Sequence, residues 1–91
     1  SRGLGDVYKR QEIADQYTKQ NAQFVKAAYE AGYAKCLPSD IEIHILTHGY
    51  ITALCECILH DVPYEKAEDY VKNIIKFQHY GWYGVLGLPL K

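Results

Sequence analysis

The sequence predicts an all-α chain of three helices, at about residues 12–31, 40–60 and 64–80. Three observations carry this. Apolar residues recur every three to four positions along the first and third segments, the period of one helix face, and the second is apolar on every side of a helical wheel. No strand signal stands out, and there is no internal repeat. The breaks between segments carry helix punctuation: Gly32 after the first, Pro38-Ser39-Asp40 before the second and Pro63 before the third.

In helix one, Ile13, Tyr17, Asn21, Phe24 and Ala28 form a stripe, widened by Ala14, Val25 and Tyr29. Asp15, Gln16, Lys19, Gln23, Lys26 and Glu30 occupy the opposite side, so this is an amphipathic surface helix. Gly32 is its natural stop, because glycine adopts the left-handed conformation that ends helices at little cost. In helix two, Ser39-Asp40-Ile41-Glu42 has the spacing of a capping box. Apolar residues then occupy every side of the wheel, and only Glu42 and Glu56 are charged before His60. A helix apolar all round must be covered all round, which two further helices cannot do alone. His60-Asp61-Val62-Pro63 makes a short break, with Pro63 near the first turn of helix three, where its missing N–H is harmless. Helix three presents Ala67, Val71, Ile74, Ile75 and Gln78 as one seam, flanked by Tyr70 and Phe77. Residues 81–87, with Gly81, Gly84 and Gly87, either prolong this helix or unwind it.

The first eleven residues, SRGLGDVYKRQ, resemble the translation of a transposase adaptor used to prepare short-read sequencing libraries. That resemblance implies a non-native tail at 1–11 and a truncated helical domain at 12–91, with helix one beginning near Glu12. Residues 12–91 hold seven Lys and no Arg against ten Asp and Glu, a formal charge of −3. This balance disfavours nucleic-acid binding, which needs clustered cations to meet phosphates. The odd set Cys36, Cys55 and Cys57, with the last two diverging around a helix, is no disulfide framework and fits a reducing cytoplasm. No apolar run reaches the length of a membrane span.

Three motifs invite chemistry. His44 and His48, one turn apart, could chelate a metal, with Cys57 or Glu56 and His60 as a second pair. The simpler reading makes them polar groups of a pocket wall or interface, so no metal or other cofactor is expected. The glycines at 81, 84 and 87 lack the strand–loop–helix context of a phosphate loop. No nucleophile turn and no carboxylate pair on an apolar face is visible, so no enzyme is expected.

Taken in order, Ala27-Ala28-Tyr29-Glu30-Ala31-Gly32, the Ser39-Asp40-Ile41-Glu42 helix start and His48-Gly49-Tyr50-Ile51-Thr52-Ala53-Leu54 precede a last helix ending Phe77-Gln78-His79-Tyr80-Gly81-Trp82. Over about residues 24–87 this resembles the C-terminal part of a TetR-type transcriptional regulator. The resemblance implies the last three helices of a regulatory domain, the final two forming half of a dimeric four-helix bundle. Its implied partners are a second copy, a small-molecule effector and, only through a missing N-terminal helix-turn-helix, DNA. Phe24, Tyr29, His44, His48 and Tyr50 would border the effector pocket. Ile51, Leu54, Cys55, Ile58, Val71, Ile74, Phe77, Gln78, Gly81 and Trp82 would form the dimer interface. The alternatives are a helical protein-interaction module without a DNA link, and a metal-binding helical protein.

Overall fold

The computed structural model describes residues 2–59 and 62–90, with side chains from residue 7 onward. The described residues form three helices, α1 (Arg2–Glu30), α2 (Asp40–Leu59) and α3 (Tyr64–Leu86), and no strand. None of these helices is long and apolar enough to cross a membrane. His60 and Asp61, expected in the α2–α3 break and, for His60, in the second chelating pair, lie outside the described residues.

Local punctuation sets the ends. Gly32 has φ 84 and Gly87 φ 70, both left-handed. At each end the same pair of hydrogen bonds closes the helix: Gly32 N donates to Tyr29 O and Tyr33 N to Ala28 O, while Gly87 N donates to Gly84 O and Leu88 N to Tyr83 O. These are Schellman closures, which satisfy carbonyls that the helix leaves without partners. The capping box forms as the sequence predicts: Glu42 N donates to Ser39 Oγ at 3.1 Å and Ser39 N to Glu42 Oε1 at 2.8 Å. Such a cap contributes about 1 kcal/mol.

Two boundaries differ from expectation. α1 starts at Arg2 rather than near Glu12. Once a helix is nucleated, each added residue gains a hydrogen bond cheaply, and nothing between Val7 and Gln11 is a breaker. Lys9 also pairs with Glu12, 3.7 Å apart. Helix continuation is a local property, indifferent to where those residues come from. α3 likewise runs past Tyr80 through Gly81 and Gly84, stopping only at Gly87.

The helices run antiparallel, with α2 central and in contact with both neighbours. The loop after α1 is pinned to the end of α3, since Lys35 N and Cys36 N both donate to Leu86 O at 2.9 and 3.0 Å. The apolar core is small: Ala14, Val25, Ala34, Ile43 and Ile74, with Thr47 the buried polar residue. On α1 Ala14 and Val25 are buried and Asn21 and Ala28 half-buried, all within the predicted stripe, while its large members Ile13, Tyr17, Phe24 and Tyr29 stay exposed. Its small residues let α1 approach α2 closely, so Phe24 is left 75% exposed and Tyr17 50%. On α3, Ile74 faces α2, whereas Ile75 turns outward. α2 meets the expectation of all-round cover least: Ile41, Ile45 and Ile58 are exposed.

The glycines of α3 are not equivalent. A Cβ at Gly84 would meet nothing within 4 Å, whereas one at Gly87 would lie 2.9 Å from Cys36 Sγ and 3.3 Å from Lys35 Cβ. Gly84→Ala should therefore raise stability by about 1 kcal/mol through helix propensity. Gly87→Ala should lower it by about 2 kcal/mol, through left-handed strain and the collision with the α1–α2 loop. Thermal melts followed by circular dichroism would show the opposite signs.

Candidate functional site

α1 and α3 pack on α2 without closing over it, and the gap between them is an open cleft of about 520 Å³. Thr47, Ile51 and Leu54 form its floor, at the i, i+4, i+7 spacing of one helix face. Tyr17 and Asn21 of α1 stand on one side, Gln78 and Trp82 of α3 on the other, and Tyr50 completes the lining. None of these eight side chains is charged. An apolar cleft with a few convergent polar groups is the usual form of a small-molecule site.

The polar groups are held by specific bonds. Asn21 Nδ2 donates to Thr47 Oγ1 at 2.9 Å, joining α1 to α2. Gln78 Nε2 donates to Leu46 O at 3.1 Å, joining α3 to α2, and Trp82 Nε1 donates to Gln78 Oε1 at 2.9 Å. The indole is thus anchored through Gln78 to the central helix. Gly81 permits this approach, because a Cβ there would run into Leu46 Cδ2.

A second, larger hollow of about 750 Å³ lies beside α3. Seven of its eight lining residues belong to α3, and only Ala53 comes from α2, so it is the flank of one helix rather than a convergent site. Its Asn73 amide is turned back to its own helix, on Asp69 O. A smaller groove of about 300 Å³ lies between α1 and α2, where Val7, Arg10 and Gln11 face Thr52 and Glu56.

Of the five residues expected to border an effector pocket, only Tyr50 lines the cleft. Phe24 and Tyr29 are exposed on α1. His44 and His48 stack on each other, ring centroids 3.8 Å apart and planes at 15°. His48 Nε2 lies 3.1 Å from Asp15 Oδ1, an ion-pair distance without hydrogen-bond alignment. Among the described residues no group of three or more His, Cys, Asp or Glu is placed to hold a metal ion.

The residues expected at a dimer interface divide by depth. Ile58, Val71 and Phe77 are exposed, and Ile51, Leu54, Cys55, Gln78, Gly81 and Trp82 are half-buried. Ile74 is buried within the chain and supports that surface from beneath. Sequence reasoning missed Tyr17, Asn21 and Thr47 as cleft residues. The signal for Thr47 was its hydroxyl in a helix otherwise apolar on that face. No family model, curated protein or solved structure matches the chain.

Proposed function

We propose that the chain is the effector-binding and dimerisation portion of a TetR-like one-component transcriptional regulator, a cytoplasmic binding protein rather than an enzyme. One observation supports this above the others: the three helices make one layer. The molecule measures 44 × 30 × 16 Å, and α1 and α3 each pack on α2 far more than on each other. Stable domains bury their apolar faces between at least two layers. The accessible surface is 6946 Å², about 1,500 Å² more than the roughly 5,400 Å² of a folded monomer of this mass. Standard interfaces bury about 800 Å² per partner, so a second copy on one face accounts for much of that excess. Ile58, Phe77 and Ile75, each more than 60% exposed, are the side chains such a copy would cover.

In this reading an effector in the cleft alters the packing of α1 and α3 on α2. That biases two dimer geometries and hence the spacing of two DNA-reading heads. DNA would be touched only through an N-terminal helix-turn-helix of the parent protein, in keeping with the acidic balance of residues 12–91. The free Cys36, Cys55 and Cys57 suit a reducing compartment. A helical interaction module without DNA shares the single-layer observation, and the parent gene separates the two. The ~100 codons upstream of Glu12 should encode a basic helix-turn-helix of about 50 residues. Unrelated coding sequence there would sink the regulator. Light scattering should return twice the 10.4 kDa chain mass.

A further inference from the structure

We propose that the cleft between α1 and α3 binds a neutral, planar aromatic molecule carrying a lactam, whose N–H and C=O pair with Asn21 and Thr47 at its floor. This rests on the effector-binding reading above and names the chemistry of the effector. Thr47 is only 3% exposed, yet it lines the cleft, and its hydroxyl accepts from Asn21 Nδ2. Among the described residues, the Thr47 hydroxyl proton has no protein acceptor and Asn21 Oδ1 has no donor. Thr47 is buried and Asn21 half-buried at the cleft, and the Thr47 O–H, the second Asn21 N–H and Asn21 Oδ1 are left for water or a ligand to complete. Reversing the Asn21 amide keeps both kinds of group open: its two N–H become the donors and the Thr47 oxygen the acceptor. The complementary ligand group therefore has an acceptor and a donor side by side, as a lactam does.

Charge and shape narrow the class further. With no charged side chain in the lining, an ionised ligand would lose its hydration without a counter-charge. Tyr17 and Trp82 offer aromatic surface on opposite walls, and Trp82 spends its N–H on Gln78, so its contribution to a ligand is ring contact. A volume of about 520 Å³ admits two or three fused rings.

Trp82 is the sole tryptophan of the chain and reports on its own site. The full chain titrated with quinolin-2(1H)-one should show a saturable change in Trp82 fluorescence, matched by calorimetry. The 1-methyl derivative, which cannot donate, should bind at least tenfold more weakly to the unaltered protein. Thr47→Val, nearly equal in size, should weaken binding of the parent lactam by a similar factor with helix content retained. Absence of saturation up to the solubility limit would overturn the proposal. Equal affinity for the methylated compound would overturn it too, because the cleft would then be reading apolar surface alone. Light scattering on the same samples keeps the two readings apart. A dimer that ignores the lactam removes this inference only, whereas a monomer that binds it removes the dimeric regulator and leaves the site.

Discussion

Ile58→Asp is expected to turn a dimeric chain into a monomer while leaving its three helices formed. Within one chain Ile58 is 72% exposed, on the last turns of α2, so an aspartate there meets water and disturbs no packing. Across a dimer interface the same carboxylate would be buried in each subunit among apolar side chains. A buried charge without a partner costs about 4 kcal/mol or more, roughly a thousandfold in dimer affinity even if only one copy is felt. Phe77→Asp, at a position 66% exposed on α3, should act in the same direction. Gln23→Asp is the matched control, since residue 23 is exposed on the polar side of α1 and its charge stays in water. Light scattering over a hundredfold range of concentration, beside circular dichroism, separates dissociation from unfolding. If the unaltered chain is a monomer at every concentration, the four-helix bundle has no support.

Helix ends were legible in the sequence because their causes are local. Gly32 and the Ser39–Glu42 box act through residues three to five positions away, and both behave as their spacing requires. Burial was less legible, for a physical reason. A hydrophobic stripe marks what a helix must hide, not which neighbour hides it. The large apolar residues of the α1 stripe, Ile13, Tyr17 and Phe24, stay exposed, with Tyr17 alone of them lining the cleft, while Ala14 and Val25 are buried and Asn21 bonds to Thr47 of α2. Small residues allow close helix approach but contribute little to a pattern of large apolar side chains. The extension of α1 back to Arg2 was invisible for another reason: those residues carry no stripe, and only continuation from an established helix orders them. Within the cleft, Tyr50 stood out in the sequence as a pocket residue, and Ile51, Leu54, Gln78 and Trp82 as interface residues. The Asn21–Thr47 bond that gives the floor its polarity joins residues 26 apart, beyond any local signal.

The neighbours Ile74 and Ile75 put that difference between stripe and seam on a measurable scale. A sequence pattern treats them as one apolar pair, yet Ile74 is 6% exposed against α2 and Ile75 is 61% exposed. Ile74→Ala removes most of a buried side chain from a core whose other apolar members are three small-to-medium residues, Ala14, Val25 and Ala34, and one large one, Ile43. The loss should be about 2–5 kcal/mol, the range for truncating a buried isoleucine with partial collapse of the cavity. A chain this small rarely has more than ~5 kcal/mol in reserve, so the variant should melt far below the parent or fail to fold. Ile75→Ala deletes atoms that already face water within the subunit and should cost less than ~1 kcal/mol in a dilute, monomeric sample. In a dimer that covers Ile75, its effect should instead grow as protein concentration rises, because the lost contact lies between subunits. Urea titrations at two concentrations a hundredfold apart read both behaviours. Equal losses for the two variants at low concentration would mean that α3 does not meet α2 through Ile74.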